Sequence, residues 1–354
     1  MRLCFVGTAG HVNVVTDALP HPSWEAVAVC PAWPDEDISW LVSRLREKGQ
    51  EVSLFNDYCR MLDEARPDAV VICGYNGQHG SMCIEAASRG IHIMCEKPLC
   101  TSMEEYEELT KALVRTGAKI AGMHTYRFHD VFAGAYEAIK GGEIGVVRLL
   151  DARKSYKMGR RPWHFTKRDT FGGILSWVGI HAIDWLRWLS GEEFVSVFAQ
   201  QSALHNDDHG EMETTGVACF AMTGGVTAVM TCDYYRPGEA HTHGDDRVRI
   251  VGTKGVLEIM DGQAILLSGE GTGAAVGAES GDVTTDAKAE IAAFGPSKGG
   301  RVITPVSTVD ALTDFTRLIR GERSVLLTQD DSLQATRAAL LVTESADTSK
   351  LVCF

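Results

Sequence analysis

Three short stretches of this chain carry residue types that can do chemistry. In "GIHAIDW" (179–185), His181 and Asp184 stand three apart, so a helix puts both on one face. An imidazole exchanges protons near neutral pH, and a carboxylate beside it orients the ring or binds a hydroxyl. In "IHIMCEKPLC" (91–100), an apolar strand-like run ends on Glu96, Lys97 and Pro98, setting an anion against a cation at the mouth of a buried strand. In "VGTAGHV" (6–12), Gly7 and Gly10 allow a tight strand-to-helix turn, and the helix N-terminus presents free N–H groups to a phosphate. The full dinucleotide fingerprint is G-x-G-x-x-G. Ala9 stands at its second glycine and Val12 at its third, so this turn alone is a weak signal.

These residues need elements to hold them. Through about residue 122, short apolar runs alternate with amphipathic segments. "RLCFVG" (2–7), "EAVAVC" (25–30), "DAVVIC" (68–73), "IHIMC" (91–95) and "AKIAGM" (118–123) read as buried strands. Segments 11–19, 38–48, 57–65, 78–89 and 102–116 read as helices, the last opened by Ser102 as N-cap with Glu104 and Glu105 in its first turn. This alternation predicts an α/β fold: a Rossmann-like, doubly wound parallel sheet over 1–122. After residue 123, "VRLLDARKSYK", "EFVSVFAQQSAL", "TTGVACFAM", "GVTAVMTCDYY", "RVRIVGT", "GVLEIM" and "AILLS" follow with turn-sized gaps. They predict an open, mostly antiparallel sheet, interrupted by one helix near 180–189 and closed by helices at 308–320 and 330–345. Residues 123–354 are thus expected to form an α+β domain for substrate binding and oligomerisation, its final helices packing back on the first. The Gly/Ala/Ser-rich stretch 269–300 reads as a loop insertion.

Composition narrows the function. Hydrophobic residues make up 45% and charged residues 23% of 354, an ordinary globular balance. With 34 basic and 47 acidic residues the net charge is −13, which disfavours nucleic acid or an anionic membrane as partner. No apolar run approaches the roughly 18 residues of a membrane span, and the apolar run Leu3–Val6 is too short for a signal-peptide core. Of ten cysteines, Cys4, Cys30, Cys73, Cys95, Cys219 and Cys232 lie in strand-like contexts, expected as reduced core thiols in a cytoplasmic protein. No Cys-x-x-Cys pair occurs, so no metal site is expected.

A dinucleotide site also wants a carboxylate at the end of the second strand. Pro31 stands there, with Asp35, Glu36 and Asp37 a few residues on. No Lys or Arg occurs between 30 and 43, so a 2′-phosphate would meet negative charge, and NAD is favoured over NADP.

Joined, these pieces resemble a known family. "CEKPL" (95–99) resembles the Glu-Lys-Pro signature of the Gfo/Idh/MocA family of sugar and cyclitol oxidoreductases. "RPDAVVICGYNGQHGSMCIEAASRGIHIMCEKPL" (66–99), "YRFHDVFAGAYEAIKGGEIGVVRLL" (126–150), "FGGILSWVGIHAIDWLRWL" (171–189), "HGDDRVRIVGTKGVLEI" (243–259) and "LLTQDDSLQATRAALLVTESADT" (326–348) are similar to its segments in the same order. The resemblance implies that Glu96 holds ribose hydroxyls, Pro98 fixes the turn and Lys97 points at the reacting oxygen. It implies a cofactor turn of Gly7, Thr8, Ala9, Gly10 and His11, with Asn76 and His79 near the ribose and nicotinamide. Arg127 would begin the second domain beside the cleft, Trp163 and His164 would cover the substrate, and Asp184 would bind it. Arg236, His241 and His243 form an outer ring. Many members carry an aspartate four residues before the histidine. Trp177 stands there, where an indole can stack on a sugar ring, so Lys97 becomes the first catalytic candidate and His181 the second. The implied function is hydride transfer between NAD and a sugar, cyclitol or related polyol, in a homodimer or homotetramer. A redox-neutral, glycoside-cleaving enzyme with tightly held NAD is the alternative, and a non-catalytic dinucleotide- or sugar-binding protein the third reading.

Overall fold

A computed structural model describes residues 1–241, 245–260, 262–268, 300–322 and 325–354. His243 and all of the 269–300 stretch except Gly300 fall outside the described residues.

The first sheet follows from runs that are apolar on both faces. Its strands are β1 (Arg2–Val6), β2 (Glu25–Cys30), β3 (Ser53–Leu54), β4 (Ala69–Ile72), β5 (His92–Cys95) and β6 (Ile120–Gly122), all parallel, in the order β3-β2-β1-β4-β5-β6. Side chains alternate across it. Cys4 and Val6 join Met61, Cys83 and Leu109 on one face, while Leu3 and Phe5 join Val15, Leu41 and Leu45 on the other. Burial on both faces requires helices on both, as a parallel sheet does. Helix 103–116 is capped as expected, the Ser102 hydroxyl accepting from the Glu105 N–H at 3.2 Å. β3 has two residues, both exposed, so no apolar pattern marks it.

The second sheet gathers β7 (Val147–Ser155), β8 (Phe194–Ser202), β9 (Thr215–Met222), β10 (Thr227–Asp233), β11 (Asp245–Gly252), β12 (Gly255–Met260), β13 (Gln263–Ser268), β14 (Arg301–Val302) and β15 (Val352–Cys353). Its order is β14-β13-β12-β11-β7-β10-β9-β8-β15, antiparallel except for the central β7–β10 pair. The longer strands largely alternate. The inner face packs on helix 179–190 and the outer face carries Leu149, Phe198 and Val217. Cys219 lies on that outer face and is exposed, not the core thiol its apolar surroundings suggested, because the strand period turns it away from Ala218 and Phe220. The described cysteines are all free. Helix 130–140 has no counterpart among the expected elements. Its buried face is made mostly of small residues, Ala133, Gly134, Ala135 and Ala138, which an apolar-run reading passes over.

The last helices cross back. Ala311, Leu312 and Phe315 complete the first sheet's core, with Phe315 stacked on Trp24 at 5.9 Å between ring centroids. Helix 329–348 puts Leu333 in the first domain's core and Ala335, Ala339 and Val342 in the second's.

A buried ion network ties these parts together. Arg127, 1% exposed, donates through Nη2 to Asp184 Oδ1 at 2.7 Å and through Nε to Oδ2 at 3.0 Å. Its Nη1 lies 3.0 Å from Asp331 Oδ2 and donates to the Leu326 carbonyl at 3.2 Å. Removing one member of a buried pair strands the other charge, at a cost of about 3–5 kcal/mol. Arg127→Met is therefore expected to lower the urea midpoint sharply. Asp184→Asn placed in that background should cost far less than it does alone.

Candidate active site

The sheet order reverses between β1 and β4, and the crevice of such folds opens at the carboxyl end of that junction. The turn after β1 enters it. Gly7 (φ +76°) packs so closely that a Cβ would stand 2.3 Å from the Cys73 carbonyl oxygen. Gly10 (φ +73°) leaves the space that the Glu96 carboxylate fills, 2.6 Å from where a Cβ would be. The turn's N–H groups are aimed at anions. Thr8 N–H and Oγ1–H donate to Glu36 Oε1 at 2.8 and 2.6 Å, and His11 N–H donates to Glu96 Oε2 at 2.8 Å. Ala9 N–H donates to the Cys73 carbonyl at 2.8 Å. Pro31 supplies no carboxylate, but Glu36 curls back to the site and also accepts from Ala32 N–H at 2.6 Å.

Glu96 is buried, and burial alone would raise its pKa. The His11 ring at 2.8 Å and Lys97 outweigh that and hold it at about 2. Its second oxygen, Oε1, is buried without a hydrogen-bond partner among the described residues.

Lys97 is fully buried at the end of β5. Its Nζ donates to the Trp177 carbonyl at 2.8 Å and lies 3.4 Å from the centroid of the same indole. Desolvation drives its pKa down to about 7. Glu96, 3.9 Å away, opposes that shift and the Lys154 charge adds to it. Trp177, found where the resemblance expects a carboxylate, thus cradles the lysine without neutralising it.

His181 is 1% exposed, with Nε2 unpartnered among the described residues. Burial, followed by the charges of Lys97 and Lys154, pushes its pKa well below the usual histidine range, so the ring is neutral at pH 7. Its neighbours include the His11 ring at 6.3 Å and the Tyr126 ring at 5.2 Å. Thus Lys97, His181 and Glu96 lie in one buried cluster, with the partly exposed glycine turn at its edge.

The other expected residues divide. Arg127 and Asp184 are engaged with each other, so neither offers a free group to substrate. The Asn76 amide donates to the Phe171 carbonyl at 2.6 Å, tying the domains together. His79 faces the Pro98 and Gly74 carbonyls at 2.7 and 2.9 Å, bracing the turn after Lys97. Trp163 is half exposed, its ring 5.4 Å from Tyr75. His164 stacks on Tyr75 at 6.1 Å and tilts against Trp33 at 5.9 Å, and burial lowers its pKa to about 4. These rings cover the turns after β2 and β4. Arg236 bonds the His241 carbonyl, and His241 itself is exposed.

Sequence reading missed Lys154, Tyr126, Asp246 and His124. Lys154 is fully buried on the inner face of β7, directly opposite Asp246 on β11, and its Nζ bonds Asp246 Oδ1 and the Tyr126 hydroxyl. Tyr126 in turn donates to Asp246 Oδ2 at 2.7 Å. The available signal was a lysine in the apolar phase of an alternating strand, following Leu150 and Ala152. Both ring nitrogens of His124 are buried without a hydrogen-bond partner among the described residues.

Among the described residues, no cluster of His, Cys, Asp or Glu is arranged to hold a metal ion, and no helix is long and apolar enough to cross a membrane.

A six-stranded parallel sheet with a glycine turn at its switch point, beside a second mixed sheet and a buried lysine, has the architecture of the dinucleotide-binding class. A family model described as "Oxidoreductase family, NAD-binding Rossmann fold" matches residues 12–124, and the "GFO/IDH/MocA C-terminal domain" matches 132–258. The chain belongs to the Gfo/Idh/MocA family. A solved Thermotoga maritima chain described as an oxidoreductase is 33% identical with a TM-score of 0.88, each chain covering 100% of the other. The uncharacterized oxidoreductase YrbE of Bacillus subtilis is 31% identical over 56% of this chain and 57% of its own length. The scyllo-inositol 2-dehydrogenase (NAD(+)) of Bacillus subtilis is 32% identical over 60% and 61%. These matches span about three fifths of the curated relatives' length.

Trp177→Asp restores a carboxylate beside Lys97. An opposite charge at such range raises a lysine pKa by about 1–3 units. The pH midpoint for acylation of Lys97, followed by mass spectrometry, is expected to climb from about 7 by at least one unit.

Proposed function

We propose that this protein is an NAD-dependent dehydrogenase of a sugar, cyclitol or related polyol, with Lys97 exchanging the hydroxyl proton and His181 assisting. The observation that carries this reading is a buried lysine, its pKa lowered to about 7, at the strand end beside an anion-seeking glycine turn. The residues present fit a nicotinamide dinucleotide. The turn's N–H groups already hold two carboxylates, and Glu96 Oε1 is a buried acceptor suited to a ribose hydroxyl. When bound, such a cofactor takes hydride from the substrate carbon.

Lys97 then does the proton work. Its free amine accepts the hydroxyl proton, so the substrate's O–H bond breaks as an N–H bond forms, and in the reverse direction the ammonium returns it. The amine must swing from the Trp177 carbonyl toward the substrate oxygen, leaving the indole as an apolar floor. His181, neutral and with Nε2 unpartnered, bonds the same oxygen or its neighbour. Glu36, with Asp35 and Asp37 close in sequence, favours NAD over NADP, because a 2′-phosphate would meet negative charge. The name of the scyllo-inositol relative, which specifies NAD(+), supports the same choice.

The exposed outer face of the second sheet, with Leu149, Phe198 and Val217, supports assembly into a homodimer or homotetramer. Light scattering on the purified protein is expected to give twice or four times the 38.5 kDa chain mass.

Activity is tested by following nicotinamide absorbance with NAD and a polyol panel. Because the amine is free only above its pKa, oxidation should accelerate as pH rises through about 7 and then level, while reduction shows the opposite slope. Lys97→Met is expected to lower kcat by about 10²–10⁴-fold and abolish that inflection. Full turnover by this variant would remove Lys97 from the mechanism.

A further inference from the structure

One motif is left unexplained by hydride transfer. The stretch "ARKSYKMGRRPWHFTKR" (152–168) holds seven basic and no acidic residues in a chain of net charge −13. It runs from the C-terminal end of β7 to Phe165 and beyond, and Phe165 touches the Trp177 ring. Several of its cations are paired, Arg153 with Asp245, Lys154 with Asp246, and Arg168 with Glu213 and Asp347. Arg161, one of four without a carboxylate partner among the described residues, packs on aromatic rings instead. Its guanidinium carbon lies 4.5 Å from the Tyr234 ring centroid and 5.6 Å from that of Phe165, and its Nη2 donates to the Lys157 carbonyl. No carboxylate among the described residues pairs with it, and its Nε is buried without a partner.

The surroundings lead from this cation to the catalytic lysine. Phe165 meets Trp177 edge to face at 5.6 Å, and Trp177 carries Lys97, so two rings separate the guanidinium from the ammonium. On the other flank Tyr234 stacks on Tyr156 at 6.4 Å, and Tyr156 lies 4.6 Å from Lys154 Nζ. Tyr234 is 1% exposed, yet its hydroxyl has no partner among the described residues. The nearby carboxylates are engaged: Asp246 by Lys154 and Tyr126, and Asp245 by Arg153, Arg236 and Arg247. An orphaned guanidinium N–H and an orphaned phenol, both donors, therefore lie at one end of the cluster, with the orphaned imidazole of His181 at the other. Buried donors without acceptors are costly, and a ligand that supplies acceptors with negative charge satisfies them best.

We propose that the substrate is a polyol bearing an anionic group, a carboxylate or a phosphate ester, bound by Arg161 and Tyr234 while its reacting alcohol lies at Lys97. This rests on the dehydrogenase reading and names its substrate class.

The test is isothermal titration of the full chain, with and without saturating NAD, against matched neutral and acidic sugars: glucose with glucuronate and glucose 6-phosphate, and galactose with galacturonate. An acidic sugar is expected to bind at least tenfold more tightly than its neutral counterpart, and the uronates against the phosphate ester distinguish the two anions. Arg161→Gln should erase that preference while NAD affinity, read by tryptophan quenching, stays unchanged, and Arg161→Lys should keep part of it. Equal binding of acid and neutral sugar in every pair, or an undiminished preference in Arg161→Gln, overturns the proposal. If NAD binds and neutral polyols reduce it with no acid preference, the anion site fails and the dehydrogenase reading stands. If the acid preference holds without any NAD binding, the dehydrogenase reading fails alone.

Discussion

An ammonium stripped of water is the constraint around which this molecule is arranged. Lys97 reaches a pKa near neutrality only because the two domains close on it, with β5 presenting it and the segment around Trp177 covering it. A lysine on an open loop keeps its charge far above pH 7. The buried pair of Arg127 and Asp184, the Asn76 bond to Phe171 and the shared helix 329–348 all hold the domains at that closure. Stability and chemistry here are one problem.

The electrostatics of the cluster run against those of the chain. The surface is acidic, but the interior around Lys97 collects Lys154, Arg161 and several histidines that burial keeps neutral. Its carboxylates are assigned to other work: Glu96 braces the glycine turn, Asp246 answers Lys154, and Asp184 answers Arg127. The net charge of −13 therefore resides on other residues, while the groups around Lys97 are largely neutral or paired.

Much of this was legible in the sequence. The first sheet could be read because strands buried on both faces are continuous apolar runs, and Ser102 with its following glutamates marks a helix start. The Glu96–Lys97–Pro98 and His181–Asp184 motifs lie on elements that the fold brings close together. What escaped depends on register and distance along the chain. Lys154 meets Asp246 ninety-two residues away only because β7 and β11 pair in one register, and Asp184 looked free until a residue fifty-seven positions distant claimed it. Glu36 stood out as acidic, but no local pattern says that it folds back onto Thr8. β3 escaped by its shortness, and helix 130–140 because small residues, glycine and alanine, line most of its buried face.

Helix 311–320 carries a consequence for how the chain is made. The face of the first sheet bearing Leu3, Phe5, Val71 and Met94 is roofed partly by Ala311, Leu312 and Phe315, synthesised some three hundred residues after β1. During translation that face waits with apolar surface uncovered until helix 311–320 has emerged. The dinucleotide-type half is therefore no free-standing module, and a chaperone able to shield it should shorten the interval in which nascent chains cling to one another.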